Sequence, residues 1–237
     1  MGGKLLIPRE PGQGDGDGEH DGGDDKMKET EILKELLERY PKLQPVGEQI
    51  ETAYQILEEC YANGGKLLIA GNGGSSADAE HIVGELMKGF VKRRKLPDMV
   101  RDALLQADKE QGEELFDKLQ GGLPAIALSG HPALSTAFLN DVDGDMIYAQ
   151  QVCGYGKPGD VLLGISTSGN AKNIDYAVTV AKAKGMKVIG LAGKDGGRLG
   201  ARADAAVIVP EQETYRIQEL HLPVYHALCL MLEEHFF

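Results

Sequence analysis

Residues 160–170 read DVLLGISTSGN, an apolar run that ends in three hydroxyl side chains and a glycine. The run lacks the polar–apolar alternation of a half-exposed strand, so it predicts a strand buried on both faces. Residues 171–184 then have the apolar spacing of a helix. A buried strand that passes through a polar turn into a helix is the repeating unit of a parallel α/β sheet.

The same unit recurs along the chain. Apolar segments predict four more strands, at residues 66–70, 124–128, 187–191 and 205–209. Helical spacing predicts further helices at residues 29–40, 44–62, 77–90 and 213–235, and helical sequence from residue 128 to about 155. We therefore predict an α/β fold with a doubly wound, five-stranded parallel sheet and additional N-terminal helices. Ligands are expected beyond the carboxyl ends of the strands.

Two stretches depart from this pattern. Residues 1–26 are rich in Gly and Asp and have almost no apolar content after Ile7, which predicts a disordered acidic tail. Residues 93–122 are polar and helical in character, and they predict an inserted helical hairpin. The remaining chain, residues 27–237, is expected to form a single domain.

Composition narrows the class of protein. The net charge of −12 disfavours nucleic acid as a partner, although part of the acidity lies in the first 26 residues. No segment approaches the ~20 apolar residues that would span a membrane, and the N-terminus lacks the pattern of a secretory signal. The three cysteines are far apart and form no CxxC pair, which favours a reduced, cytoplasmic location.

The turn at residues 166–170 is the strongest candidate for a binding site. Backbone N–H groups at the start of a helix favour anions, and the hydroxyls of Ser166, Thr167 and Ser168 would add donors for a phosphate. Gly169 would let the backbone approach the ligand closely. The alternative is a polar turn whose side chains only cap the helix.

A second glycine-rich turn, Gly71-Asn72-Gly73-Gly74-Ser75, also joins a strand to a helix. It is not the dinucleotide fingerprint, because Ser76 stands at the third glycine position, and no Walker lysine follows. Taken alone, the turn is as consistent with a tight structural turn as with a ligand loop. The serine-rich turn expected at the same sheet edge favours the ligand loop.

Ionisable groups on two helices could perform chemistry. His81 and Glu85 share a helix face and could bind a divalent metal or divide acid and base work. On the C-terminal helix, Gln218 and His221 share a face and His226 follows two turns after Gln218. The alternatives are an exposed ion pair and histidines with only structural roles. Asn140-Asp141 are expected in a turn near the same edge, where such residues are more often turn formers.

Five strings together resemble the phosphoheptose isomerase family of the sugar-isomerase (SIS) superfamily, whose fold is flavodoxin-like. They are GNGGSSADAEH at 71–81, ND at 140–141, GISTSGNAKNI at 164–174, VIGLAGKDGG at 188–197 and RIQELHLPVYH at 216–226. The strings run in order over nearly all of residues 43–235. Two departures are Ala171, where the family usually has another serine, and the length of the 93–122 insertion.

The resemblance implies a homotetramer with active sites shared between subunits. The reaction implied is the conversion of sedoheptulose 7-phosphate to D-glycero-D-manno-heptose 7-phosphate. By motif, Ser166, Thr167 and Ser168 would bind the phosphate. The residues that would contact the sugar are Asn72, Gly73, Gly74, Ser75, Glu85, Asn140, Asp141 and Gln218. The implied zinc ligands are His81, Glu85, Gln218 and His226, of which Glu85 and His226 would also be the acid–base pair.

One geometric difficulty accompanies the implied zinc site. Gln218 and His226 are eight residues apart, which is about 12 Å along a straight helix. Either they reach one metal from different subunits, or the helix bends at Pro223; we expect the first. Three other functions stay open on sequence grounds: a non-catalytic SIS-domain adaptor that binds a replication initiator, a sugar-phosphate sensor, and an isomerase of another phosphosugar.

Overall fold

The computed structural model describes residues 22–237, with side chains from residue 28 onward. Its centre is a parallel sheet with the order β2-β1-β3-β4-β5. The strands are β1 (Leu67–Gly71), β2 (Ala125–Ala127), β3 (Val161–Ser166), β4 (Lys187–Ala192) and β5 (Ala205–Ile208). Every neighbouring pair is parallel, so the predicted fold class is confirmed. From β1 the chain first adds β2 on one side of the sheet and then β3 on the other, so a crevice for ligands is expected between β1 and β3.

Ten α-helices accompany the sheet in the described part of the chain. They are α1 (Gly22–Arg39), α2 (Gly47–Ala62), α3 (Gly74–Met87), α4 (Asp98–Ala107), α5 (Gly112–Lys118), α6 (Pro132–Asp141), α7 (Ile147–Tyr155), α8 (Lys172–Ala183), α9 (Gly197–Arg202) and α10 (Thr214–Phe236). Short 3₁₀ helices at Pro41–Val46 and Gly144–Met146 precede α2 and α7.

Strand β1 shows why its sequence lacks alternation. Leu67 and Ile69 pack into a core with residues of α2, α3 and α10, whereas Leu68 and Ala70 pack into a second core with residues of α7 and α8. Each of these side chains is at most 1% exposed. Because successive side chains in a strand point to opposite faces, a strand covered on both sides needs apolar residues at every position.

Several predicted boundaries differ from the structure. Helix α1 begins at Gly22, five residues before the predicted start of order at Met27; the rest of the predicted tail, residues 1–21, lies outside the described residues. The helix after β1 begins at Gly74 rather than residue 77 and ends at Met87 rather than 90. The predicted helix at 44–62 is preceded by a 3₁₀ turn that contains Pro45, whose missing N–H suits the short turn better than an α-helix interior.

The insertion contains two helices, α4 and α5, as predicted, and its first and last residues lie next to each other in space. The Gly121 N–H donates to the Arg94 carbonyl at 2.9 Å, which closes the base of the hairpin. The Arg101 guanidinium donates to the Glu113 carboxylate across the pair. The division into a tail and one domain stays a prediction. Within residues 22–237, no helix combines the length and apolar character needed to cross a membrane.

A buried ion pair attaches the segment after α3 to α10. Glu233, 1% exposed, accepts hydrogen bonds from the backbone N–H groups of residues 90–92 and from Arg94 Nε at 2.8 Å. Arg94 also donates to the carbonyls of Leu86 and Glu85, at 2.6 and 2.8 Å. This network fixes the end of α3, which carries Glu85, against the C-terminal helix.

Candidate active site

The serine-rich turn lies between β3 and α8, as predicted. Ser166 is buried, and Thr167 and Ser168 are partly exposed. Gly169 has φ of 67°, and a Cβ there would lie 1.8 Å from the Gly196 carbonyl oxygen, so only glycine fits. The Ser168 hydroxyl accepts from the Asn170 N–H at 3.2 Å, and no side chain caps α8 at its N-cap, Ala171. The first N–H groups of α8 are therefore available for an anion, which favours phosphate binding over a merely capping role.

The glycine-rich turn after β1 lies directly across the crevice from the serine turn. The Asn72 and Asn173 side-chain amides hydrogen-bond reciprocally at 2.9 and 2.8 Å, so they join the glycine-rich turn to the first turn of α8, which directly follows the serine turn. Gly73 has φ of 57° and precedes the first residue of α3. Ser75 is buried, and its N–H donates to the Asn72 carbonyl at 3.1 Å. The two turns at the β1/β3 switch point thus form one polar edge.

His81 and Glu85 lie one turn apart on α3, with His81 Nε2 3.2 Å from Glu85 Oε1. His81 Nδ1 lies 3.0 Å from the Tyr225 hydroxyl, which donates to Asp78 Oδ1 at 3.2 Å. Because Tyr225 gives its only proton to Asp78, His81 Nδ1 carries the proton of their shared hydrogen bond. His81 Nε2 and the Glu85 carboxylate thus present a nitrogen and an oxygen side by side, an arrangement that a bound cation would stabilise.

His226 completes this cluster from α10. Its ring centroid is 5.0 Å from that of His81 and 5.3 Å from that of Phe90. His226 Nε2 is buried without a hydrogen-bond partner in the described part of the molecule. Burial lowers the pKa of His226, nearby His81 lowers it further, and Glu85 opposes the shift. A neutral imidazole with a free nitrogen suits metal binding or proton transfer near neutral pH.

Gln218 lies apart from this cluster. A Cβ on Gly74 would come within 2.5 Å of Gln218 Nε2, so the Gln218 amide packs on the first residue of α3. Two contacts join α3 and α10: Gly74 with Gln218, and His81 with Tyr225. The second contact lies seven residues further along each helix than the first, so α3 and α10 run side by side in the same direction. Gln218 and His226 therefore stay about 12 Å apart along α10, which continues through Pro223 as one helix.

The four implied zinc ligands do not form a complete metal site within one chain. Among the residues that the structure describes, no three His, Cys, Asp or Glu side chains come close enough together to hold a metal ion. The unpartnered Nε2 of His226 and the His81–Glu85 contact nevertheless supply nitrogen and oxygen donors of the kind that zinc prefers. A complete set needs a further ligand from outside this cluster.

Asn140 and Asp141 are not in a turn, in contrast to the prediction. They form the last turn of α6, are exposed, and hydrogen-bond to each other at 2.8 Å. Neither bonds to another predicted site residue among residues 28–237. The helical tendency of Ala133–Leu139 extends through both residues before the helix ends at Val142.

Sequence reasoning missed three residues around His81 and His226: Asp78, Phe90 and Tyr225. A signal was present for two of them. Asp78 precedes His81 by three residues and so shares its helix face, and Tyr225 precedes His226 within the quoted C-terminal string. Phe90 reaches His226 only because Glu233 binds the backbone of residues 90–92. No local pattern predicts that contact.

Comparison with known proteins identifies the family of the chain. The SIS domain family matches residues 31–121 and 114–193. The parallel sheet and the serine turn at its edge therefore define a SIS-domain protein.

More specific relatives narrow this class. A phosphoheptose isomerase of a Nitratiruptor species is 41% identical over 209 residues, covering 86% of this chain and 98% of the relative. One from Helicobacter pylori is 39% identical over 210 residues and covers 89% and 95%. The solved phosphoheptose isomerase of Francisella tularensis has a TM-score of 0.67 at 31% identity, covering 90% and 98%. The chain belongs to the phosphoheptose isomerase family and is a sugar-phosphate isomerase by class.

Proposed function

We propose that the protein converts sedoheptulose 7-phosphate to D-glycero-D-manno-heptose 7-phosphate, with Glu85 and His226 as the proton-transfer pair. The observation that carries the proposal is the His81–Glu85–His226 cluster, in which a carboxylate and a neutral imidazole with a free nitrogen lie together. The relatives at 41% and 39% identity are phosphoheptose isomerases, which supports a heptose phosphate as the substrate. The serine turn and the uncapped start of α8 would bind the phosphate.

Aldose–ketose isomerisation moves one proton between adjacent carbons and another between their oxygens. In the proposed mechanism, the Glu85 carboxylate removes a proton from C1 of the ketose, which gives an enediol, and returns the proton at C2. His226 accepts the proton of O1 at its free nitrogen and delivers that proton to O2, so both residues end in their starting states. The Glu85 side chain is only 14% exposed, so few water molecules would compete with the substrate for its carboxylate.

A zinc ion belongs to the proposal as well. Its ligands would be His81, Glu85 and His226 of one chain and Gln218 of another subunit, and the first three would have to draw closer together than they lie in this structure. When bound, zinc would supply a positive charge that polarises the substrate carbonyl. The separation of Gln218 from His226 along α10 favours a site completed by assembly. The homotetramer and the cytoplasmic location stay predictions.

Glu85→Gln tests the catalytic role. The amide cannot accept the C–H proton, so turnover should fall by at least about 100-fold, while the oligomeric state measured by sedimentation stays unchanged. Glu80→Gln is the matched control, because Glu80 lies on the same helix and contacts only the Ser129 hydroxyl among the described side chains. Turnover by Glu85→Gln equal to that of the control would refute the assignment.

A further inference from the structure

A cavity of about 450 Å³ opens beside the serine turn, on the side away from β1. It is lined by Ser168, Asn170, Lys194, Asp195 and Gln212. Lys194 is the one basic side chain among these lining residues. The cavity therefore combines a hydroxyl, two amides and an ammonium group, all of which can donate hydrogen bonds to phosphate oxygens, with one carboxylate, that of Asp195.

The turn that carries Lys194 is fixed to the serine turn. The Gly193 N–H donates to the Thr167 carbonyl at 3.1 Å, and the Leu199 N–H donates to the Gly169 carbonyl at 2.9 Å. The contact between Gly169 and Gly196 leaves no room for a side chain. Because the two turns touch through their backbones, the position of Lys194 relative to Ser168 is set by the fold.

Lys194 itself has an uncommon conformation. Its φ of 54° makes it the single non-glycine residue with positive φ in the described chain. The Lys194 N–H donates to the Glu211 carbonyl at 2.9 Å, which helps to hold this backbone. Residues held in left-handed conformations concentrate at binding and catalytic sites.

The ammonium group of Lys194 is free for a ligand. No carboxylate of residues 28–237 lies within ion-pair distance of it. The neighbouring Asp195 carboxylate instead accepts from the Gly197 N–H at 3.1 Å. A lysine ammonium is a compact, strongly hydrated point charge on a flexible stem. On a turn fixed by backbone hydrogen bonds, it is suited to bind a dianion.

We propose that Lys194 supplies the cation that binds the phosphate group of the substrate, beside the Ser168 hydroxyl of the serine turn. The proposal rests on the proposed function and extends it with a residue to which no role was assigned. The hydroxyls and the start of α8 offer only partial charges, whereas a phosphate monoester carries close to two negative charges. In a chain with net charge −12, a full positive charge at this position would offset the repulsion of the dianion.

Lys194→Met tests the proposal, since Met keeps the unbranched stem and the same backbone constraint but removes the charge. The KM for the sugar phosphate and the inhibition constant of inorganic phosphate should both rise about tenfold to a hundredfold, with kcat nearly unchanged. Lys194→Arg should stay within a few-fold of wild type. Lys109→Met is the control for net charge, because Lys109 is exposed in the turn between α4 and α5.

Calorimetric titration with inorganic phosphate separates this proposal from the proposed function. If the wild-type protein binds phosphate and Lys194→Met binds it at least tenfold more weakly, Lys194 is a phosphate ligand even without heptose turnover. Equal phosphate affinity and equal KM in wild type and Lys194→Met would overturn the proposal. Inhibition by phosphate that is not competitive with substrate would also overturn it, because the anion would then occupy a different site.

Discussion

At the scale of single residues, two histidines on α10 show how the surroundings of a side chain distinguish a structural role from a proposed catalytic one. His221 is fully buried, and its Nε2–H donates to the Ala192 carbonyl at 3.2 Å. Burial lowers its pKa to about 4, and the bond to Ala192 opposes the shift only weakly. His226, five residues later, packs against His81 and has a nitrogen without a hydrogen-bond partner among the described residues. The sequence left both histidines open to a structural role, and His221 takes it.

The low pKa of His221 predicts a specific loss of stability in acid. In the unfolded chain the pKa returns to about 6.5, so the unfolded state binds an extra proton as pH falls below that value. The stabilisation is fully present above pH 6.5 and is lost progressively toward pH 4, by about 3 kcal/mol in all. His221→Gln keeps an N–H donor but does not titrate.

Urea unfolding at a series of pH values measures this effect. The free energy of unfolding of the wild type should fall more steeply between pH 6.5 and pH 4 than that of His221→Gln. Parallel curves for the two proteins would mean that the pKa of His221 is the same in the folded and unfolded states, which would contradict the prediction.

At the scale of elements, the site depends on how α3 packs along α10. The five strands could be located from their continuous apolar segments, because a strand in a sheet that is buried on both faces needs apolar side chains at every position. The matched register of Gly74 with Gln218 and of His81 with Tyr225 could not be predicted, because it joins segments about 145 residues apart. The same limit explains Asn140 and Asp141, whose local sequence indicated a turn although α6 continues through them.

The buried Arg94–Glu233 pair should contribute strongly to this packing. Burial opposes the ionisation of Glu233, but the N–H groups of Phe90 and Val91 and the Arg94 guanidinium lower its pKa. Glu233→Gln would leave Arg94 buried without a counter-charge and should cost about 3 kcal/mol of unfolding free energy. Glu114→Gln, at the exposed pair with Lys118 on α5, should cost less than about 0.5 kcal/mol. Equal costs in chemical denaturation would argue against the buried network.

At the scale of the whole molecule, the separation of Gln218 from His226 leads us to propose that activity requires assembly. His81, Glu85 and His226 cluster within one chain, whereas Gln218 lies at the other end of the α3–α10 contact. If a complete site combines this cluster with Gln218 of another subunit, two different inactive variants can rebuild it together. A site confined to one chain cannot be rebuilt in this way.

Subunit mixing tests this arrangement. Gln218→Ala and His226→Ala should each be inactive, but co-refolded mixed oligomers should regain about a quarter of wild-type activity, because a quarter of the sites take both intact residues. A mixture of Glu85→Gln and His226→Ala is the matched control and should stay inactive, since both residues belong to the same cluster. Inactivity of the first mixture as well would place Gln218 and His226 in one subunit's site.

The most direct test of the central claim is turnover of sedoheptulose 7-phosphate by the purified full-length protein, followed by proton NMR with and without added zinc. We expect the signals of D-glycero-D-manno-heptose 7-phosphate to appear with the wild type and to be absent with Glu85→Gln. A folded, assembled, zinc-loaded protein that leaves the ketose unchanged would contradict the account. That outcome would favour another phosphosugar substrate or a non-catalytic binding role.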